Sequence, residues 1–184
     1  MIQSLSAPLE MSLSLDEVKA FLKILSPRED RLLVHLIKTA EALVAERQGH
    51  YALTQRVRIT GPLIHDRTRG LRPEARHFSH YPFITLPLHP IQLVERVEVF
   101  RLDGRRRLIE PRFWSLSHTR GPHRLTVKVA DGDTLQADLR VGYGDTPEMV
   151  PLSLHHQILV KVAKLYEKSE TLYGVLFPRQ LGSS

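Results

Sequence analysis

Histidine, aspartate and arginine are the side chains through which this sequence could do chemistry, and their spacing decides which kind. Ten histidines in a chain with no cysteine would confine any metal site to imidazole and carboxylate ligands. His77 and His80 lie three residues apart with Glu74 as the nearest acid, and His155 and His156 are adjacent at the start of an apolar periodic stretch. Ligands converge when they share one helical face or have a carboxylate within reach. Neighbouring residues on a helix point about 100° apart, so neither pair forms a ligand set. Both read as histidines that only hydrogen-bond. Asp131 and Asp133 flank Gly132, but a D-G-D between two strands lacks the further acids of a calcium loop and reads as a turn. The sequence has no phosphate-binding glycine loop, no dinucleotide fingerprint, no H-E-x-x-H and no G-x-S-x-G. Spacing alone pairs no nucleophile with a base. No catalytic residue, metal or cofactor is therefore assigned, and Trp114 and the phenylalanines read as core.

Arginine is the remaining chemistry. Residues 51–147 hold sixteen Lys/Arg against ten Asp/Glu, a net charge of +6, while residues 1–50 carry −1 and residues 148–184 carry +1. All but one of those sixteen cations are arginine, which suits bidentate contact with carboxylate or phosphate. They concentrate at Arg67, Arg69, Arg72 and Arg76, in a stretch at 63–82 without sustained periodicity, and at Arg105, Arg106 and Arg107. Two readings stand side by side: a solvated β surface, or a contact with a subunit, a partner protein or nucleic acid.

The elements that must position these groups are legible from periodicity. Ser14-Leu15-Asp16-Glu17 and Ser26-Pro27-Arg28-Glu29 are two capping boxes, in which each glutamate is expected to reach back to its cap. The first helix has a stripe of Leu15, Val18, Leu22 and Leu25 with Phe21 beside it. The second runs to about Arg47, is stopped by Gly49, and has a broad apolar face from Leu32 to Val44. From Tyr51 the pattern changes to alternation: Tyr51, Leu53, Val57 and Ile59 on one face, then short strands at 83–87, 93–100, 113–114, 125–129 and 135–143. In the strand at 93–100, Val97 and Val99 are expected on one face with Val94 and Phe100 on the other. Leu139, Val141 and Tyr143 are expected to share a face. Gly61-Pro62, Asp103-Gly104, Gly121-Pro122 and Gly144-Asp145 supply turns. Pro151 then opens a last helix whose Leu154, Ile158, Val162 and Leu165 face inward, with Gln157, Lys161, Lys164 and Lys168 opposite.

The expected fold is α+β: a helical hairpin (1–50) and a long C-terminal helix (148–170) packed together, with a small antiparallel sheet or sandwich (51–147) between them in sequence. The whole reads as one domain. No apolar run approaches the roughly 20 residues that span a bilayer, and the N-terminus has no basic, signal-like start. No membrane partner or export is expected. The tail 171–184 is unusual: Leu172, Tyr173, Val175, Leu176 and Phe177 are apolar, followed by Pro178 and Leu181. Chain ends are commonly polar and frayed. An apolar end is either folded back on its own core or stored against a partner.

The order of these pieces resembles the tailed-phage head–tail connector (adaptor) family, including the gene-transfer-agent adaptors. The resemblance rests on S-L-D-E-V-K-A-F-L-K at 14–23, the long second helix leading into Y-A-L-T-Q-R-V-R-I, and I-T-L-P-L-H-P-I-Q-L-V-E-R-V-E-V-F-R-L-D-G. It rests also on V-G-Y-G-D and V-P-x-x-L before the last helix ending Tyr166-Glu167. The stretch 63–82 is longer than the family pattern. The resemblance implies a non-catalytic structural virion protein of the neck, made in the host cytoplasm. It implies a dodecameric ring of repeated heterologous contacts around a channel through which DNA passes, with a portal protein on one side and a tail-side stopper or tail-completion protein on the other. It also implies that Leu172, Tyr173, Val175, Leu176, Phe177, Pro178 and Leu181 dock on the portal. The alternative is a nucleic-acid-binding module using the arginine-rich loops.

Overall fold

The structure is a computed structural model that describes residues 1–64, 81–117, 122–128 and 132–176, with the side chains of 170 and 172–176 excepted. The chain forms two compact units, one of residues 1–7 and 54–142 and one of residues 8–53 and 143–184. The fold is α+β, with strands in the first unit and helices in the second.

The strand unit contains two antiparallel sheets. Strands β1 (Ile2–Ser4), β2 (Gln55–Pro62), β4 (Ile91–Phe100), β5 (Arg106–Leu108) and β8 (Thr134–Val141) form one, in the order β1-β2-β8-β4-β5. Strands β3 (Phe83–Leu86), β6 (Trp114–Ser117) and β7 (His123–Val127) form the other, in the order β3-β7-β6. The last strand in sequence is thus central. Leu135, Ala137, Leu139 and Val141 of β8 are fully buried, and their neighbours Val57, Ile59, Val97 and Val99 join them in the interior. Ile84, Leu86, Leu125 and Val127 bury the inner face of the smaller sheet.

Three strand expectations are corrected. Val94 shares the buried face with Val97 and Val99, because a bulge between Val94 and Arg96 inserts one residue and restores the same facing. Tyr51 and Leu53 precede β2, which begins at Gln55, and Tyr143 follows β8. Gly142, at φ 118, takes a backbone conformation that L side chains rarely adopt, and it ends the alternation there. Among the described residues, Trp114 and the phenylalanines are not the core: Trp114 and Phe113 are half-buried, and Phe83 lies under the Arg124 guanidinium at 4.7 Å.

The helical unit holds α1 (Leu15–Leu22), α2 (Asp30–Gln48) and α3 (Leu152–Leu176). Ser14 Oγ accepts the Glu17 N–H at 3.1 Å, and Ser26 Oγ accepts that of Arg28 at 3.2 Å. A 3-10 turn at Pro27–Glu29 leads into α2, and Gly49 at φ 71 closes it. Leu33, Leu36, Ile37, Ala40 and Val44 of α2 pack with Val18 of α1 and with Leu154, Ile158, Leu159 and Val162 of α3 in one apolar core. Leu25 does not extend the α1 stripe. The helix ends at Leu22 with Lys23 at φ 58, and Leu25 is 95% exposed.

Candidate functional site

Two side chains expected to close capping boxes do something else. The Glu17 carboxylate lies 2.8 Å from His155 Nε2 on α3, and Glu29 accepts the Tyr166 hydroxyl at 2.6 Å. His155 and Tyr166 are eleven residues apart, three turns at 3.6 residues per turn, so they lie on one side of α3. The two acids therefore pin one flank of α3 to the start of α1 and the start of α2. This corrects the reciprocal capping box: the serine half forms, and the glutamate half is recruited to a distant helix. On α2, the Glu41 carboxylate accepts from both the backbone N–H and the hydroxyl of Ser12, at 2.6 and 2.5 Å, which satisfies a fully buried serine.

The opposite flank of α3 is open. A groove of about 370 Å³ runs between the C-terminal half of α2 and the first half of α3. Leu43 and Val44 of α2 and Val160 of α3 give it an apolar floor, and Arg47, Lys161 and Lys164 give it a basic rim, with His156 beside them. Among the described residues, no Asp or Glu lines it. The basic stripe was readable from helical spacing. That it borders a groove was not, because this depends on how α2 crosses α3.

In the strand unit the exposed face of the larger sheet is a lattice of arginine and carboxylate. Asp138, at the centre of β8, is 5% exposed. Arg58 opposite it on β2 donates Nε and Nη2 to its two oxygens at 2.6 and 2.8 Å. The hydrogen bond from Arg58 holds the Asp138 carboxyl below its ordinary range, against the opposing effect of desolvation. Arg56 and Arg140 flank Glu95 at 2.6 and 3.4 Å, and Arg96 meets the buried Glu98 at 2.7 Å. Four of the sixteen cations of this section are thus paired within the sheet.

Arg105, Arg106 and Arg107 follow the turn of the β4–β5 hairpin, and all three are exposed. Arg105 Nε lies 3.5 Å from Asp103. The turn is braced by Asp133, the residue before β8, whose carboxylate accepts the Leu102 N–H at 2.9 Å; residue spacing carries no sign of that role. Arg67, Arg69, Arg72 and Arg76 lie outside the described residues. Of the expected tail, Leu172, Tyr173, Val175 and Leu176 continue α3 as helical backbone, so the helix runs past residue 170, where it was expected to stop. Phe177, Pro178 and Leu181 lie outside the described residues. Among the described residues there is no group of three or more metal-ligating side chains, and no helix is long and apolar enough to cross a membrane.

No protein-family model matches the sequence, and no curated protein is significantly similar to it. Solved structures are similar to it. A chain from the neck of an empty gene transfer agent (GTA) particle, computed with C6 symmetry, superposes with a TM-score of 0.68 at 17% identity, covering 100% of this chain and 87% of that one. A chain from the virion of a native GTA particle gives 0.68 at 17% identity, covering 100% and 88%. One from the neck of a native GTA particle, computed with C12 symmetry, gives 0.64 at 17% identity, covering 100% and 87%. Over its whole length, the chain has the fold of these GTA neck and virion chains.

Proposed function

We propose that this chain is a structural neck protein of a tailed-phage or gene-transfer-agent particle. In this reading it is a head–tail connector that forms a closed ring, docks on the portal and links head to tail around the DNA channel. The observation that carries the reading is likeness of fold across the entire chain to subunits of GTA neck and virion assemblies, two of them computed with C6 and C12 symmetry. The sequence resemblance, drawn from different signals, points the same way.

The parts take these roles. The helical unit is the body of the ring. The end of α3 and the residues after it, Leu172 to Leu181, form the portal-docking tail, and their apolar composition is what burial against a partner requires. A tail-side stopper or tail-completion protein occupies the other face. DNA passes without being held, and the protein does no catalysis.

Pull-down by the portal with the full chain and with residues 172–184 deleted tests the docking. The truncated protein is expected to keep its melting temperature and lose portal binding. Undiminished binding overturns the docking role. Loss of the fold instead assigns the tail to its own subunit's core. Negative-stain images of the portal complex test the ring: a lone subunit on the portal overturns it.

A further inference from the structure

The groove between α2 and α3 carries charge that the chain leaves unanswered. Arg47, Lys161 and Lys164 rim an apolar floor, and among the described residues none of these three cations is in an ion pair. Lys161 and Lys164 are neighbours on the surface of α3, where like charges repel. An occupant must bring anions to the rim and apolar groups to the floor. Among the described residues no Phe, Tyr or Trp lines the groove, so it offers bases no stacking platform, and a protein surface suits it better than a nucleic acid.

That chemistry is exposed on this chain at the corner where it enters α3. Asp145 and Glu148 are exposed there, and among the described residues neither is in an ion pair. Hydrogen bonds from Thr146 and from its own backbone hold the Glu148 carboxyl below its ordinary range without neutralising it. No Lys or Arg occurs between Arg140, which pairs with Glu95, and Lys161. In the same corner Met149 is 60% exposed and Leu152 is 85% exposed. Acids at the start of a helix suit its dipole without a partner, but large apolar side chains left in water there have no such compensation. None of residues 145–152 lines the groove, and Leu152 stands nine residues from Lys161, about 13 Å along α3. The corner therefore does not cover its own groove.

We infer that the α2–α3 groove receives the 145–152 corner of a second copy of this chain, Asp145 and Glu148 meeting the Arg47, Lys161 and Lys164 rim, and Met149 and Leu152 covering the apolar floor. Corner and groove are different surfaces. One such contact leaves a groove on one copy and a corner on the other free for the next copy, which is what a ring or a growing chain needs. This rests on the ring reading above and names the surfaces that would build it.

The chain has no cysteine, so engineered thiols report without background. Two single-cysteine proteins, Ser153→Cys beside the corner and Gln48→Cys on the groove, are mixed and treated with a short bis-maleimide. Both positions are exposed, and on separate chains they can be joined only between copies. A mixed cross-linked dimer is expected, with little from either protein alone. Glu148→Lys in the first protein, or Lys161→Glu in the second, is expected to weaken the cross-link at least about tenfold with an unchanged melting temperature, and the two together to restore it. Leu152→Ser in the first protein should weaken it as well. The inference is overturned by absence of the mixed dimer at high protein concentration, by a dimer indifferent to both charge reversals, or by equal dimers from either protein alone. Protection of Gln48→Cys from maleimide by the portal or a tail-side protein, with no mixed dimer, gives the groove to that partner and likewise overturns it. Its fate separates from that of the ring: closed rings in negative stain without the cross-link reject this contact and keep the ring, whereas the cross-link in a protein that forms no closed ring keeps the contact and rejects the ring.

Discussion

Asp138 is a carboxylate almost without solvent, held by two donors, Nε and Nη2, on one edge of a guanidinium. Hydrogen bonds to charged groups contribute about 1.5–3 kcal/mol each to stability, and the partly open site of Arg58 places the pair toward the low end. Asp138→Asn is therefore expected to destabilise the strand unit by about 1–3 kcal/mol at pH 7, read from urea or guanidinium unfolding. The pH dependence has a definite sign. Folding lowers this carboxyl's pKa, so its contribution is fully present above the unfolded value of about 4 and is lost as pH falls through the lower folded value. The gap between wild type and Asp138→Asn should thus narrow below about pH 4, and a constant gap down to pH 2 would contradict this account. Gly144 makes a second residue-scale case. Its φ is not in the left-handed region, so its need is spatial: a Cβ there would stand 2.7 and 2.9 Å from Cβ and Cγ of Met149 and closer still to its sulfur. Gly144→Ala is expected to cost about 1–3 kcal/mol through overpacking. A melting temperature equal to wild type would show that the 3-10 turn Pro147–Met149 yields freely.

At the scale of elements, the helical unit stands on the α2–α3 contact. Ile158 is 1% exposed at its centre, and Leu36 lies in the same core. An unpaired buried charge costs about 3–5 kcal/mol, a large part of the roughly 5–15 kcal/mol that holds a domain folded. Ile158→Asp and Leu36→Asp are each expected to unfold the helical unit, visible as loss of helical circular dichroism, while Lys168→Asp on the solvent side should change little. Either core variant melting like wild type would remove α2–α3 packing as the basis of this unit. These helices were legible because period 3.6 runs unbroken through α2 and α3, and because Ser26 marks the way into α2 and Pro151 the start of α3. Strands β2, β4, β7 and β8 were legible from alternation. Other features depend on partners far away in sequence. The three-residue β1 is a strand only because it pairs with β2, Ile2 facing Ile59. The Val94 bulge exists only against β8. Glu17 and Glu29 leave their capping boxes because α3 brings His155 and Tyr166 to them. The groove was legible as a basic stripe and not as a concavity, for the same reason.

At the scale of the whole molecule the question is whether a net charge of +6 makes this a nucleic-acid binder. Affinity for duplex DNA grows with the number of phosphates neutralised, and each contributes about 0.9 to the slope of log K against log salt. Arg56, Arg58, Arg96 and Arg140 cannot be counted, because Glu95, Glu98 and Asp138 already hold them. A duplex would have to replace those carboxylates to use them. Of the arginines singled out for contact with DNA, Arg106 and Arg107 of the hairpin remain exposed, joined by Arg67, Arg69, Arg72 and Arg76, whose positions lie outside the described residues. A conduit should let DNA slide. The expected result is a dissociation constant for random duplex no tighter than about 10⁻⁵ M at physiological salt, within the ordinary non-specific range. The slope should be shallow, about two phosphates' worth. Fluorescence anisotropy across a salt series measures both quantities. Submicromolar binding with a slope of four or more, abolished when Arg67, Arg69, Arg72 and Arg76 are all changed to Gln, would reverse the assignment: the long arginine-rich stretch would then be a DNA-gripping element.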